Sequence, residues 1–230
     1  MQNSDDKCTI IFAKDPADAN IKTRLGAQIG PAAAAELYKC FLLDALDTLN
    51  KLAMPFEIAF HPPQSELRVK SILGNSYHYM PQQGDDVGQR MKNAFLAAFD
   101  KDYKKVIVIG SDIPDLPVHF LKSAFVSLET NDAVVGPAAD GGYYLIGFTN
   151  TSFVPQVFDD ISWSSDCVFK KTLGILKKHT DRIQFCDRWY DIDTLNDLKL
   201  LLERHRCSEF QKSRTISFLS KIMLGELDYV

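Results

Sequence analysis

The sequence predicts an α/β protein with a mostly parallel central sheet flanked by helices, and three observations lead there. Val106-Ile107-Val108-Ile109 is an unbroken β-branched run ending at Gly110, the pattern of a strand buried on both faces. Strand-like and helix-like segments alternate from Cys8 almost to Arg206, with no Ser/Gly linker, repeat or low-complexity tract between them. At 230 residues and 46% hydrophobic content, the chain can bury one substantial core, so we expect a single domain over 1–230, its core at about 8–205 and a tail at 206–230.

Taken in order, Cys8 to Ala13 reads as the first strand and the segment 14–24 as the loop beyond it. Pro31 to about Leu52 reads as a helix, with Gly30 before it and Pro at its first position. Phe56 to Phe60 is the next strand. A weaker helix near Ser65 to Leu73 leads to a short strand around Tyr77 to Met80. Asp86 with Gln89 three residues on forms the Asp/Gln variant of a capping box, followed by Met91, Ala94, Phe95, Ala98 and Phe99 at helical spacing. After the Val106 strand, Pro117 to Leu128 is a helix, Ala133 to Gly136 a short strand and Tyr143 to Phe148 another. Ser164 or Ser165 is expected to cap a helix running to about His179. Ile183 to Cys186 is a late strand, and Thr194 opens a helix through Leu202. In the tail, Phe210, Ile216, Leu219, Ile222 and Met223 suit an amphipathic helix that packs on the core or on a second subunit of a homodimer.

A formal charge of -4 supplies no basic field for a long nucleic acid. The start, Met1 to Lys7, is polar and acidic with no apolar segment behind it long enough for a signal peptide or membrane span, so neither is expected, and a cytoplasmic location is. Cys8, Cys40, Cys167, Cys186 and Cys207 are scattered with no Cys-x-x-Cys pair, which suits buried free thiols and argues against a zinc site.

The residues that could carry chemistry follow strand ends. Asp112, in Gly110-Ser111-Asp112-Ile113-Pro114, sits just beyond the carboxyl end of the Val106 strand, the edge where open α/β sheets bind ligands. It reads either as a metal or sugar ligand or as the N-cap of the next helix. Lys14, Lys22 and Arg24 lie in the loop after the first strand, where Arg with its planar fork and Lys as a point charge can grip a diphosphate; a merely solvated loop is the other reading. Asp191 and Asp193 stand at alternate positions and face one side of an extended segment, so one of them can meet Asp112. Asp191 is favoured as a metal ligand, and Asp193 as partly structural, since Asp193 or Thr194 caps the helix that follows. Asp140-Gly141-Gly142 makes a tight turn, either a plain hairpin or a backbone that approaches a sugar while Asp140 accepts from hydroxyls. Trp163 can stack on a ring, although a Trp before a helix also suits the core. The dinucleotide Gly-x-Gly-x-x-Gly, the P-loop and Gly-x-Ser-x-Gly patterns are all missing, and the five histidines show no metal spacing.

Phe12-Ala13-Lys14 to Lys22-Thr23-Arg24-Leu25, Gly84 to Met91, Gly110 to Pro114, Gly136-Pro137 to Asp140-Gly141-Gly142-Tyr143-Tyr144-Leu145-Ile146-Gly147, Trp163-Ser164 and Asp191 to Thr194 together resemble one family, in order, over about 8–202. It is the small bacterial proteins provisionally described as glycosyltransferases, within the nucleotide-diphospho-sugar transferase (GT-A) superfamily, related to molybdenum-cofactor and phospholactate guanylyltransferases. The resemblance implies a single-domain Rossmann-like GT-A fold. It also implies that Lys22 and Arg24 contact nucleotide phosphates, that Asp112 binds Mg2+ or Mn2+ with Asp191 completing the site, and that Asp86 and Arg90 border the nucleotide beside Lys14 and Ser111. Asp112, Lys22 and Asp191 would then be catalytic, and Asp140, Gly141, Gly142 and Trp163 would bind substrate. One departure is Ala19, where the family usually has a Gly shortly before Lys-Thr-Arg-Leu. Val87 and Gln89 replace the more frequent Leu and Glu.

The expected function is a metal-dependent transferase moving a sugar from a nucleotide-sugar donor to a small-molecule acceptor. The alternatives are a nucleotidylyltransferase that joins a phosphorylated acceptor to a nucleoside triphosphate and releases pyrophosphate, and a non-catalytic nucleotide-binding protein. The absence of glycine between Ala13 and Leu25 gives poor material for a triphosphate cradle.

Overall fold

The computed structural model describes residues 6–18, 20–163 and 165–223, so Met1 to Asp5, Ala19, Ser164 and the last seven residues lie outside it. Among the described residues seven strands form one sheet: β1 (Lys7–Lys14), β2 (Phe56–His61), β3 (His78–Pro81), β4 (Lys105–Gly110), β5 (Ala133–Pro137), β6 (Tyr143–Thr149) and β7 (Ile183–Phe185). Their order is β3-β2-β1-β4-β6-β5-β7. Only the β6 pairings, with β4 and β5, are antiparallel, while β1 is parallel to both β2 and β4 and β5 is parallel to β7. The chain therefore builds outward from β1 through β2 to β3 and returns to place β4 on the other side of β1. This reversal opens a crevice at the carboxyl ends of β1 and β4, where open α/β sheets take their ligands.

Strand alternation divides the core into two layers. Ile11, Ala13, Ile107 and Ile109 face one side, with helices α2 (Pro31–Leu52), α5 (Val118–Ser127), α7 (Leu195–Arg204) and α8 (Arg214–Met223). Cys8, Ile10, Val106 and Val108 face the other, with α4 (Val87–Asp100) and α6 (Val168–Leu176). The buried face of α2, from Leu37, Tyr38 and Phe41 to Leu49 and Leu52, follows helical spacing. Fully burying such side chains contributes about 1.5–3 kcal/mol each. Two shorter helices, α1 (Thr23–Ile29) and α3 (Glu66–Leu73), complete the set. Among the described residues no helix is long and apolar enough to cross a membrane.

Most expected elements form within one or two residues of their expected limits, and the differences have local causes. The loop after β1 contains the unexpected helix α1, whose N-cap Lys22 has no side-chain capping bond and lies in the left-handed region at φ 46°. Ser165 does not cap α6: its hydroxyl donates to the Ser162 carbonyl in a preceding turn, and the helix starts only at Val168. Asp86 does cap α4, accepting from the Gln89 amide at 2.8 Å, but the reciprocal bond slips by one residue because the Gln89 side chain accepts from Asp85. At α7 the cap belongs to Thr194, with a complete capping box through Asp197. The tail does form an amphipathic helix, α8, with Ile216 and Leu219 buried, Leu219 in the core layer of α2, while Met223 is exposed and Phe210 lies in a separate short 3-10 turn before it. All five cysteines are free, yet only Cys8 is fully buried, and Cys167 and Cys207 are exposed.

Candidate functional site

Three segments leave the sheet at the switch point and converge. Lys14 ends β1, Gly110 ends β4 and leads into Ser111-Asp112, and 187–194 follows β7. Asp112 caps no helix, because α5 begins at Val118 with Pro117 as its N-cap, and its carboxylate is left facing the crevice. The 187–194 segment is fastened along its length. Asp187 accepts from Tyr144 through its carbonyl at 3.0 Å. Trp189 exchanges backbone bonds with Pro137 and Ala139, and the Ile192 amide donates to the Asp112 carbonyl at 2.9 Å. Ile192 points into the core, so Asp191 and Asp193 on either side of it share the opposite face and line the same two cavities.

Lys22 lies at the centre of this convergence. Its ammonium donates to Asp193 and to the Ile192 carbonyl, both at 2.7 Å, and pairs with Asp112 at 2.8 Å. All three ammonium protons are therefore engaged, and the side chain is only 4% exposed. Burial opposes its charge, but Asp112 and Asp193 outweigh burial and hold the Lys22 ammonium above the usual lysine range. The reciprocal effect holds Asp193 below the ordinary carboxylate range against its own burial. Asp191 makes no such ion pair among the described residues, and Lys22 lowers its carboxyl less than its surroundings raise it. Burial and the nearby charges of Asp112, Asp140 and Asp193 push its carboxyl up to about 8.

Two kinds of surface meet at these carboxylates. On the β1 side a cleft of about 330 Å³ is lined by Lys14, Lys22, Arg24, Arg90 and His61, with Ser111, Asp112 and Asp193 at its inner wall. Tyr38 shapes its floor: its hydroxyl accepts from the Lys14 amide at 2.9 Å and pairs with Ser111 at 2.8 Å. His61 and Gln82, from the carboxyl ends of β2 and β3, line it too, and Gln82 is held by bonds to the Ala13 and Ala59 carbonyls. Arg90 Nε and His61 Nδ1 are buried nitrogens without a hydrogen-bond partner among the described residues. On the other side a cavity of about 270 Å³ is lined by Asp112, Asp140, Asp191 and Asp193 over an apolar floor that includes Phe12, Met91 and Trp163.

The structure thus brings Lys14, Lys22, Arg24, Arg90, Ser111, Asp112 and Asp191 around one crevice, with Asp140, Gly142 and Trp163 beside it. Asp86 does not line the cleft; its carboxylate is engaged in capping α4. Gly141 serves the turn: it adopts φ +94°, and a Cβ there would come 2.2 Å from the Asp166 carbonyl oxygen. Asp140 closes this turn by accepting from the Gly142 amide at 2.9 Å. The Trp163 ring packs on Gly88, where a Cβ would lie 2.3 Å from it, and its indole nitrogen is buried without a partner among the described residues.

Sequence reasoning missed His61, Gln82 and Tyr38, and also the support beneath the 187–194 segment. Asp115, its side chain fully buried, accepts from Arg204 at 2.6 and 3.0 Å and from the Trp189 indole at 3.2 Å, and it pairs with His205 at 2.7 Å. No local pattern announces either group, since each is assembled from separate strands and helices.

Residues 45–165 match the family described as "Uncharacterized protein conserved in bacteria (DUF2064)". The chain belongs to this family. A crystal structure from Desulfovibrio desulfuricans G20, provisionally described as a nucleotide-diphospho-sugar transferase, is 37% identical to this DUF2064 protein, covers 96% of each chain and has a TM-score of 0.92. The fold also resembles that of 4-diphosphocytidyl-2C-methyl-D-erythritol synthase from Anaerococcus prevotii DSM 20548, at 13% identity over 89% of this chain and 100% of that one, with TM-score 0.59. A manganese complex of Rv0371c from Mycobacterium tuberculosis H37Rv is similar at 15% identity over 86% of this chain and 98% of that one, with TM-score 0.52. No curated protein matches. The DUF2064 chain thus shares its fold with a structure provisionally described as a nucleotide-diphospho-sugar transferase.

Proposed function

We propose that this DUF2064 protein is a divalent-metal-dependent transferase that binds a nucleotide sugar and passes its sugar to a small acceptor. The observation that carries the reading is the separation of charge across Asp112: Lys14, Arg24 and Arg90 line the cleft on one side, and Asp140 and Asp191 line the cavity on the other. A nucleotide diphosphate suits the first surface, and a hydroxylated sugar suits the second, since carboxylates accept from hydroxyl groups.

A magnesium or manganese ion fits the donor set. Among the described residues no group of three or more His, Cys, Asp or Glu side chains is gathered closely enough to hold a metal. Magnesium needs fewer, because one or two carboxylates plus water and substrate phosphate oxygens complete its octahedron. Asp112 and Asp191 are two such carboxylates, and both line the same cavity beside Asp140 and Asp193. A bound divalent ion would supply Lewis-acid neutralisation of the departing diphosphate, worth several kcal/mol.

The chain's own residues do the rest. Lys14, Arg24 and Arg90 hold the phosphates and orient the glycosyl bond toward the acidic cavity. Lys22 keeps Asp112 and Asp193 in place. The acceptor's hydroxyl oxygen bonds to the anomeric carbon, the carbon–oxygen bond to the diphosphate breaks with its electron pair leaving on the diphosphate, and the hydroxyl proton is released to solvent.

The test is a thermal-shift titration with nucleoside diphosphates, triphosphates and nucleotide sugars, each with and without manganese. A ligand at 100 times its Kd adds about 2.7 kcal/mol of stability. Manganese-dependent stabilisation by a nucleotide sugar, followed by release of nucleoside diphosphate when acceptor is added, is the expected result. Stabilisation by triphosphates alone with pyrophosphate as product identifies a nucleotidylyltransferase, and no response to any nucleotide leaves no donor site.

A further inference from the structure

The largest of the cavities around these carboxylates, about 600 Å³, lies between the 187–194 segment and α7. It opens onto Asp191 and Asp193, so it is continuous with the reaction centre while standing apart from most of the cations of the nucleotide cleft. Two of its walls are apolar side chains left uncovered, Tyr190 at 44% and Leu200 at 47% exposure. Arg204 stacks its guanidinium on the Tyr190 ring at 5.1 Å and on Trp189 at 5.2 Å, and the buried Asp115 carboxylate neutralises it. Arg204 therefore stiffens the aromatic wall and has little charge left for an anion.

The remaining charge is acidic. Asp140, Asp191 and Glu203 line the cavity together with Asp193, which Lys22 already pairs, and Asp197, which is engaged in the α7 cap, while Arg24, at the border with the nucleotide cleft, is the only cation besides Arg204 among its described lining residues. A phosphate or carboxylate entering here meets like charge, which discriminates against it, whereas hydroxyl and ammonium groups find acceptors. Uncovered Tyr190 and Leu200 add surface for a ring or aliphatic chain.

We propose that this cavity receives the acceptor, and that the acceptor is a neutral or cationic molecule joining a hydroxyl group to an apolar ring or chain, not a phosphorylated one. This rests on the cationic cleft being the nucleotide site. It also opposes nucleotidylyl transfer to a phosphorylated acceptor, since that reaction needs anion-binding groups on this side of Asp112.

The test uses the full-length 15N-labelled protein and two probes, 2-(4-hydroxyphenyl)ethanol and the phosphate monoester of its aliphatic hydroxyl. The alcohol at millimolar concentration is expected to shift the α7 amides and the Trp189 indole. The phosphate ester is expected to bind there at least tenfold more weakly. Leu200→Asp should abolish the response to the alcohol, and Glu203→Arg should bring the phosphate ester to at least the affinity of the alcohol. Both positions are on the exposed face of α7, and the spectrum of each variant reports whether the fold is intact. Equal or tighter binding of the phosphate ester by the natural sequence overturns the proposal, as does an alcohol that leaves α7 unshifted. A parallel titration with UDP and GDP reads the Lys14 to Arg24 amides. Silence there removes the nucleotide reading itself, whereas a nucleotide response with no alcohol response removes only the acceptor assignment.

Discussion

Replacing Lys22 by Met keeps the aliphatic stem near the Phe41 ring and deletes the ammonium, so it tests whether this lysine serves the carboxylates or the substrate. Three bonds are lost, to Asp112, Asp193 and the Ile192 carbonyl. Removing one member of a buried ion pair costs about 3–5 kcal/mol. Here the lysine is 4% exposed, but its partners are 39% and 38% exposed. Water can therefore solvate the abandoned carboxylates, and we expect about half the buried cost, ~2 kcal/mol. For a chain of this size that corresponds to a fall in Tm of about 4–8 °C. The assay is urea unfolding in metal-free buffer with m unchanged, repeated with manganese and, separately, with UDP. Manganese should stabilise Lys22→Met more than the natural protein, because the carboxylates have lost their internal cation. Metal-free UDP affinity should change less than threefold, since no lysine proton is available for phosphate. An unchanged urea midpoint combined with a tenfold or greater loss of UDP affinity would refute this reasoning and make Lys22 a direct phosphate ligand.

Three other outcomes are expected. Asp112→Asn should fold normally and lose activity by orders of magnitude, because each ~1.4 kcal/mol of missing Lewis-acid stabilisation is about tenfold in rate; steady-state turnover with manganese checks it, and undiminished turnover removes Asp112 from the centre. Gly141→Ala should cost about 2 kcal/mol or more, from the strained φ of +94° and the 2.2 Å approach to the Asp166 carbonyl oxygen; thermal unfolding reads it, and a neutral substitution would show that the turn is not fixed as described. Glu129 is held below the usual carboxylate range by its bond to Lys105 and, less strongly, by Lys7. Its native pKa is lower than its unfolded value of ~4.3, so its contribution is complete above that value and disappears as pH falls through the native one. Glu129→Gln should therefore cost on the order of 1 kcal/mol at neutral pH and nothing in acid. A gap from the natural protein that is independent of pH would contradict this.

The legibility of the chain follows the range of the forces involved. Val106 to Ile109 announces β4 because four β-branched residues leave few alternatives to a buried strand, and Pro31 to Leu52 announces α2 because its apolar residues repeat with the helix. Helix α1 escaped notice for the opposite reason: it is seven residues long, has no side-chain cap and starts from a left-handed lysine, so no local signal precedes it. Ser165 shows how a residue suited to capping can be drawn into another turn, here by its bond to the Ser162 carbonyl. In the site, Asp112 and the cations after β1 were legible because strand ends are where ligands bind. That Lys22 bonds Asp193 across 171 positions of sequence was not, nor was the meeting of His61 and Gln82. Such contacts are consequences of strand order, which periodicity does not encode.

Strand order also explains why the 187–194 segment has two charged fastenings beside its other hydrogen bonds, and it allows them to be separated. Lys22 pins Ile192 and Asp193 from the β1 side. Asp115 holds Trp189 and Arg204 from beyond β4, and Arg204 in turn supports Tyr190. Asp115→Asn preserves shape and removes charge, leaving Arg204, whose side chain is 25% exposed, without its counterion. A cost of about 3 kcal/mol is expected, at the lower edge of the range for a buried pair because Arg204 retains some access to water. The functional consequence should be uneven. The cationic cleft touches neither Asp115 nor Arg204, so nucleotide affinity should persist, whereas the wall formed by Tyr190 should loosen and acceptor KM should rise more than kcat falls. Calorimetric titration with nucleotide beside acceptor-dependent kinetics separates these quantities. A parallel loss of nucleotide and acceptor affinity would mean that the segment moves as one piece and that Asp115 supports the whole crevice.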